Sequence, residues 1–362
     1  MNGAFSNEFV YPTEARRVVF GAGTLRHLRR EVEMLGVSRA LVLSTPEQRA
    51  DGKRIADLLG EYAVGVFAQA VMHVPIETAR AARAEADQRN ADCLVAVGGG
   101  STTGLAKAIA LESPRPIIAI PTTYAGSEAT AIYGLTEGGV KRTGKDSRVL
   151  PRTVIYDPKL TLSLPTTLTT TSAINAIAHA AEGLYAKDSS PIMNLFAAEG
   201  IRAFAAALPV LRQHPQDLDA RAEALYGAWL CGTVLGTVGM SLHHKLCHTL
   251  GGSFNLPHAE VHTVILPHAM AYNASAAPRA MTQIARALGA SSAPDGLYDL
   301  AQGLGAPCAL RDIGMRETDL DRAADLAAAS PYWNPRPIER TAIRALLQGA
   351  YEGRRPTVGG AS

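Results

Sequence analysis

The chain has 362 residues, of which 47% are hydrophobic and 19% charged, with a formal net charge of +2. This length exceeds the size at which one hydrophobic core keeps growing, so two domains are expected. The near-neutral charge gives no electrostatic reason for a nucleic-acid partner. The sequence shows no signal peptide, no apolar run of about 20 residues for a membrane helix and no CxxC spacing. A cytoplasmic protein without disulfides or membrane partner is expected.

The first half alternates short apolar runs with helical segments. The runs that predict strands cover residues 40–44, 64–74, 93–97 and 116–120. The segments that predict helices cover residues 25–35, 77–88 and 105–111. This alternation is typical of βαβ units with a parallel sheet. Residues 141–152 predict a hairpin or a connecting strand.

From about Thr171 the apolar residues recur with a helical period, as in residues 193–211 and 220–235, and strand patterns end. The predicted fold is therefore a Rossmann-like α/β domain followed by an all-helical domain. We place the boundary after Asp157, which gives domains of residues 1–157 and 158–362.

A glycine-rich loop, Gly98-Gly99-Gly100-Ser101, follows the predicted strand at 93–97 and leads into a helix. Backbone N–H groups in such a loop, together with the helix N-terminus, bind phosphate. These four residues are therefore predicted to bind the pyrophosphate of a dinucleotide. The P-loop pattern is not matched, because Leu105 rather than lysine follows Gly104. The alternative is a tight turn without a ligand.

A second loop of hydroxyl residues leaves the next strand, at the same carboxyl edge where open α/β sheets bind ligands. Thr122, Thr123 and Ser127 are its candidate cofactor-binding residues, although such residues also cap helices. The end of the first strand, residues 43–46, has no acidic residue to select a ribose hydroxyl. Both NADH and NADPH therefore stay open as the cofactor.

Five of the ten histidines lie in the stretch HHKLCHTLGGSFNLPHAEVH, residues 243–262. His244 and His248 are four residues apart, so a helix places them on one face. Gly251 and Gly252 are predicted to end that helix. Pro257 suits the start of the next one, which carries His258 and His262.

Asn175 and His179 have the same spacing on an earlier helix, which Thr171 or Ser172 is predicted to cap. Three helices are thus predicted to bring one set of polar side chains to a common centre: Asn175, His179, His244, His248 and His258. His243 is predicted to face away, and the role of His262 stays open. The remaining histidines are interpreted as ordinary structural residues.

These motifs resemble the iron-containing, or group III, alcohol dehydrogenase family, whose fold is like that of dehydroquinate synthase. The resemblance rests on GGGSTTGLAK, PTTYAGSE, the Asn175 helix, the histidine stretch and NPRPIER, and it covers essentially the whole chain. It implies a dinucleotide cofactor and a homodimer. Lys141 corresponds to a family lysine near the nicotinamide ribose, and His248 to a histidine near the nicotinamide. Metal-dependent members bind a divalent ion through an aspartate and three histidines, which correspond to Asn175, His179, His244 and His258.

Asn175 is neutral where those members have an anion, which removes charge compensation for a divalent ion. No metal and no metal ligand are therefore expected. With Gly104 and the short second loop, this departure resembles a maleylacetate-reducing branch of the family. The resemblance implies NAD(P)H-dependent reduction of the carbon–carbon double bond of maleylacetate, a small dicarboxylate, to 3-oxoadipate in aromatic compound degradation. His179, His244 and His258 are expected to polarise the substrate, and His248 to donate a proton.

Three other functions are compatible with the sequence. The first is a metal-dependent alcohol dehydrogenase of the same family, in which Asn175 still coordinates. The second is a sugar-phosphate lyase resembling dehydroquinate synthase, which would need an acidic metal ligand and basic phosphate contacts. The third is a nucleotide-binding regulatory protein, which would leave the histidines on three helices unexplained.

Overall fold

The computed structural model describes residues 16–138, 140–329 and 332–358, and the side chains of Val140 and Lys141 lie outside the described ones. The described residues form two compact units, of which the first extends to Leu164 and the second begins at Pro165. The first is an α/β unit and the second is helical, which confirms the predicted fold class. The boundary predicted after Asp157 stays a prediction.

The first unit alternates strands with helices. Its strands are β1 (Arg17–Phe20), β2 (Ala40–Leu43), β3 (Ala63–Phe67), β4 (Cys93–Gly98), β5 (Ile117–Pro121), β6 (Ile132–Glu137), β7 (Val140–Lys145) and β8 (Thr153–Tyr156). Its helices are α1 (Leu28–Met34), α2 (Arg49–Leu59), α3 (Ile76–Gln88) and α4 (Gly100–Glu112).

The strand order defines where this unit binds a ligand. In its described part the larger sheet has the order β1-β8-β5-β4-β2-β3, with parallel pairing throughout, and β6 and β7 form a separate antiparallel hairpin. The order reverses between β2 and β4, because β3 lies outside β2 whereas β5 lies outside β4. Open α/β sheets bind ligands at the carboxyl ends of the strands beside such a switch point. The loops after β2 and β4 therefore mark the expected site.

Both faces of the sheet are covered by apolar side chains. On β4, Leu94 and Ala96 join the core that α3 and α4 cover, whereas Val95 and Val97 join the core that α1 and α2 cover. Successive strand residues point to opposite faces, so a strand buried on both sides is a continuous apolar run. This burial explains why β4 was predictable from the sequence.

The second unit is built from helices. They are α5 (Thr166–Gly183), α6 (Pro191–Gln213), α7 (Leu218–Thr237), α8 (Leu242–Phe254), α9 (His258–Asn273), α10 (Pro278–Leu288), α11 (Ala293–Gly303), α12 (Leu320–Ala328) and α13 (Arg340–Glu352). Between Pro165 and Val358, apart from residues 330–331, the structure contains no strand.

The helix that carries Asn175 begins earlier than predicted. Thr171 and Ser172 do not cap it, because α5 starts at Thr166 after Pro165. Their hydroxyl groups instead donate to the carbonyl oxygens four residues earlier. This local bond satisfies Ser and Thr in a helix interior, so hydroxyl residues there do not mark a helix end.

The helix that carries His244 ends later than predicted. Gly251 and Gly252 lie inside α8, which continues to Phe254. Asn255 follows in the left-handed conformation, with a φ of 54°. Asparagine adopts this conformation more readily than most residues and, like glycine, ends helices.

Among the described helices, α6 is long and apolar enough to match a membrane span, and α7 with α8 passes the same test as a pair bent by 95°. α6 packs against α5 and α7. A core helix of a helical unit has the same length and composition, so α6 is explained by its packing.

Candidate active site

The glycine loop joins β4 to α4, and the space beside the backbone at its last glycine is open. Gly98 has a φ of 148°, and a Cβ atom there would lie 2.5 Å from Oγ1 of Thr102. A Cβ atom at Gly100, where α4 begins, would meet no described atom within 4 Å. The first N–H groups of a helix and the positive end of its dipole bind phosphate. The loop of Gly98, Gly99, Gly100 and the half-buried Ser101 therefore suits a pyrophosphate.

The loop after β5 lies against the glycine loop. The N–H of Thr122 donates to the carbonyl oxygen of Gly98 at 3.1 Å, and a Cβ atom at Gly99 would lie 2.9 Å from Cγ2 of Thr123. Ser127 starts a short 3-10 turn at the far end of this loop. The structure thus brings Thr122 and Thr123 to the glycine loop and places Ser127 further along the same segment.

Gln48 also belongs to this region, although the sequence analysis missed it. Gln48 precedes α2 in the loop after β2, and its Nε2 donates to Oγ1 of Thr122 at 3.0 Å. A Cβ atom at Gly98 would lie 2.8 Å from its Oε1. Gln48 therefore links the loops after β2, β4 and β5 at the switch point.

A fully buried lysine on α4 holds the second loop. Nζ of Lys107 donates to the carbonyl oxygens of Ser127 and Ile132, each at 2.7 Å, and to Oγ1 of Thr130 at 2.9 Å. Burial lowers the pKa of Lys107 to about 7, while the buried carboxylate of Glu128 acts in the opposite direction. One side chain on the helix of the glycine loop thus fixes the position of the second loop.

In the described part of the second unit, six histidines on α5, α8 and α9 form a histidine cluster. They are His179, His243, His244, His248, His258 and His262. Ring centroids of neighbouring members lie 4.5 to 6.3 Å apart. The four-residue spacings place His244 and His248 on one face of α8, and His258 and His262 on one face of α9. The structure thus brings together the four histidines predicted to share a centre and adds His243 and His262.

His262, whose role the sequence left open, lies at the centre of the histidine cluster. Its ring centroid is 4.5 Å from that of His258, 4.8 Å from His243, 5.1 Å from His244 and 6.2 Å from His179. Burial and, to a smaller extent, the neighbouring histidines hold the pKa of His262 well below its usual value. His262 is therefore a neutral imidazole at neutral pH.

The prediction that His243 faces away is wrong. Its Nε2 lies 2.9 Å from Nδ1 of His262 and 3.5 Å from Sγ of Cys247. Burial lowers the pKa of His243 to about 3, and burial together with Glu182 raises the pKa of the Cys247 thiol. The ligand atoms of His243, Cys247 and His262 all lie within 4.8 Å of one another.

Glu182, one turn after His179 on α5, is the second residue that the sequence analysis missed. Its carboxylate is fully buried and accepts hydrogen bonds from the backbone N–H groups of Ser241 and His243, at 2.8 and 2.7 Å. Its Oε2 also lies 2.7 Å from Nδ1 of His244. Burial favours the neutral acid. The hydrogen bonds to Glu182 and the neighbouring charges outweigh this effect and hold the pKa of Glu182 well below its usual value. A buried carboxylate anion therefore lies beside the cluster.

Asn175 is buried on α5, one turn before His179. Its Oδ1 accepts no hydrogen bond from the residues that the structure describes. A buried acceptor without a partner costs about 1–3 kcal/mol. A metal ion or a donor group of a ligand at this oxygen would remove that cost.

The remaining predicted site residues lie near solvent or outside the described side chains. His248 is exposed and His258 is half-buried, with ring centroids 6.3 Å apart. Lys141 pairs with Thr136 in the β6–β7 hairpin, and its side chain is not among those described.

Comparison with known proteins identifies the class to which this fold and these motifs belong. Residues 15–158 match the family model of iron-containing alcohol dehydrogenases, and residues 169–351 match the C-terminal model of the same family. The chain belongs to the iron-containing alcohol dehydrogenase family, whose members are oxidoreductases.

Individual relatives cover almost the whole chain. A maleylacetate reductase from Burkholderia cepacia is 64% identical over 97% of this chain and 100% of its own. The crystal structure of a maleylacetate reductase from Agrobacterium tumefaciens is 56% identical, with a TM-score of 0.95 over 97% of this chain and 100% of that one. A structure from Ralstonia eutropha JMP134, provisionally named an alcohol dehydrogenase, is 70% identical, with a TM-score of 0.96 over the same shares.

The expectation that the protein uses no metal is wrong. The family is iron-containing, and the helical unit holds a group of His243, Cys247 and His262 with the spacing of metal ligands. Asn175 is indeed neutral, but Glu182 places a negative charge directly beside His244. Neutral imidazoles, an amide oxygen and a nearby carboxylate fit a divalent transition metal.

Proposed function

We propose that the chain catalyses the NAD(P)H-dependent reduction of the carbon–carbon double bond of maleylacetate to give 3-oxoadipate. The observation that carries this proposal is 64% identity to a maleylacetate reductase over 97% of the chain. The histidine cluster supports it, because it offers both polarising groups and a proton donor within one unit.

The dinucleotide is bound by the first unit in this proposal. The glycine loop and Ser101 bind the pyrophosphate, and Thr122, Thr123 and Ser127 bond to phosphate or ribose oxygens. Lys141 is assigned to the nicotinamide ribose on the family resemblance. The cofactor is NADH or NADPH.

A divalent metal ion would be held by Asn175, His179, His244 and His258, the positions that correspond to the ligands of metal-dependent relatives. When bound, it would supply a Lewis acid for negative charge on the ketone oxygen. Nε2 of His244 lies 2.8 Å from Nδ1 of His179, so two of these side chains already lie side by side. The unpaired Oδ1 of Asn175 would supply the oxygen ligand.

The chemistry requires a hydride acceptor carbon and a proton donor. Maleylacetate carries an alkene conjugated to a ketone, with a carboxylate next to the alkene. Hydride added to the carbon beside that carboxylate moves the electron pair to the ketone as an enolate. His248 then donates a proton to the remaining alkene carbon, which restores the ketone. We assign this role to His248 because it is exposed and adjacent to the half-buried His258.

The second candidate is a metal-dependent alcohol dehydrogenase. It is favoured by the provisional name of the 70% identical structure and by the ability of a bound metal to stabilise an alkoxide. The two functions differ in the atom that receives the hydride.

Purified, metal-loaded protein should oxidise NADH or NADPH when maleylacetate is added and form 3-oxoadipate. His248→Asn should lower kcat about 10²- to 10⁴-fold. Turnover of simple alcohols or aldehydes in place of maleylacetate would contradict the proposal. A cytoplasmic homodimer completes it, and a mass measured by light scattering at the monomer value would contradict the dimer.

A further inference from the structure

We propose that Gln48 is a positioning residue of the dinucleotide site: it orients the hydroxyl of Thr122 so that the hydroxyl proton is available to a phosphate oxygen. This inference rests on the dinucleotide site of the proposed function, in which Thr122 is one of the binding residues. Gln48 itself is not among the residues assigned to the dinucleotide.

The backbone brings Thr122 to the glycine loop. β4 lies between β2 and β5 in the sheet, and the ladder between β4 and β5 ends at the pair of Gly98 and Pro121. The N–H of Thr122 then donates to the carbonyl oxygen of Gly98. The backbone therefore fixes where Thr122 lies, but not where the proton of its hydroxyl points.

The main chain of Gln48 is fixed on both sides. Its N–H donates to the carbonyl oxygen of Thr45 at 3.2 Å and lies 3.3 Å from Oγ1 of the same residue. Its carbonyl oxygen accepts from the N–H of Gly52 on α2 at 2.9 Å. The half-buried side chain therefore starts from a fixed point and reaches over the end of β4 to Thr122.

The direction of the bond between the two side chains leaves the hydroxyl of Thr122 as a donor. A hydroxyl has one proton to donate and two lone pairs. Oγ1 of Thr122 accepts from Nε2 of Gln48 at 3.0 Å, so this bond uses a lone pair and not the proton. Among the residues that the structure describes, no group accepts that proton. An anionic phosphate oxygen is a matching acceptor, and hydrogen bonds to a charged acceptor are stronger than neutral ones.

The other end of the amide packs against the glycine loop. A Cβ atom at Gly98 would lie 2.8 Å from Oε1 of Gln48 and 2.5 Å from Oγ1 of Thr102, so the two oxygens can come this close only to a glycine. The Cα–H group of a residue is a weak hydrogen-bond donor to an oxygen atom. Gly98 therefore favours the oxygen of the amide on its own side and the NH₂ group on the side of Thr122.

Two substitutions separate the orientation of the hydroxyl from a simple attachment of one loop to another. Gln48→Glu keeps the size of the side chain, but a carboxylate only accepts hydrogen bonds. Thr122 must then donate its proton to the new carboxylate, so the loops stay joined and the phosphate loses its donor. Gln48→Leu removes the attachment but leaves the proton of Thr122 available. The proposal therefore predicts the larger loss of dinucleotide affinity in Gln48→Glu.

The experiment is a fluorescence titration of the full-length protein with NADH, or with NADPH if that binds more tightly. Thr122→Val should raise the dissociation constant about tenfold or more, because it removes a hydrogen bond to a charged group. Gln48→Glu should raise it about tenfold more in the wild-type background than in Thr122→Val, where only the repulsion by the new charge remains. Gln88→Glu, the same change at an exposed position on α3, is the control and should keep the wild-type constant.

A loss of affinity in Gln48→Leu as large as that in Gln48→Glu would overturn the proposal and reduce Gln48 to an attachment between loops. Equal effects of Gln48→Glu in the two backgrounds would also overturn it, because charge alone would then explain them. Wild-type affinity in Thr122→Val would have the same consequence, and this result needs no variant at Gln48 to fold. None of these measurements uses maleylacetate, so they decide the role of Gln48 even if the proposed reaction fails. A wild-type protein that binds neither NADH nor NADPH would refute the dinucleotide site and this inference together.

Discussion

Lys107 offers a direct test of how the first unit holds its cofactor loops. Lys107→Met replaces the buried ammonium by an apolar side chain of similar length. The carbonyl oxygens of Ser127 and Ile132 then lose their 2.7 Å partner. Leaving a hydrogen-bonding group of the protein interior without a partner costs about 1–3 kcal/mol. We expect the free energy of unfolding to fall by an amount of this size. We also expect the loop after β5 to lose its attachment to α4.

The assay combines urea denaturation with titration of NADH followed by its fluorescence. In Lys107→Met the dissociation constant for NADH should rise at least about tenfold, which corresponds to a loss of about 1.4 kcal/mol or more of binding free energy. Lys53→Met, at an exposed position on α2, is the control and should change stability by less than about 0.5 kcal/mol. A Lys107→Met protein with wild-type stability and NADH affinity would refute the role assigned to Lys107.

Three further predictions concern the helical unit. Dialysis against a chelator should abolish the maleylacetate-dependent oxidation of NAD(P)H, and Fe²⁺ or Zn²⁺ should restore it. Full activity of a protein that holds far less than one metal ion per chain would contradict the metal site. Cys247→Ser should bind metal as tightly as the wild type, because the proposed ligands exclude that thiol; a loss of 100-fold or more would move the ion to His243, Cys247 and His262. Burial lowers the pKa of His268 to about 4, so below pH 6.5 the unfolded chain binds a proton that the folded chain does not. His268 should therefore lower the free energy of unfolding by about 3 kcal/mol as the pH falls from 6.5 to 4. In His268→Leu, urea denaturation should show a pH dependence of the unfolding free energy that is smaller by this amount. The same pH dependence in both proteins would contradict the assignment.

Local patterns in the sequence determined the parts of the fold that were predicted. The strands β2, β4 and β5 are apolar because they are buried on both faces. The histidines share a face because four residues make about one helical turn. In each case the responsible interaction depends on residues close together in the chain.

The missed residues depend on contacts that span long stretches of sequence. Glu182 meets His244 across 62 positions, and Gln48 meets Thr122 across 74. Neither belongs to a motif, and only the packing of α5 against α8 or the strand order reveals them. The wrong expectation about the metal had the same origin, because Asn175 was visible in the sequence whereas the compensating carboxylate was not.

In the proposed reaction the hydride is transferred to the carbon–carbon double bond of maleylacetate rather than to its ketone. Maleylacetate should be reduced with NADH or NADPH carrying deuterium at the transferred position, and the product examined by NMR. The proposal predicts 3-oxoadipate with its ketone intact and deuterium on the former alkene carbon next to the carboxylate. Deuterium on a carbinol carbon, in a hydroxy acid that retains the alkene, would contradict it.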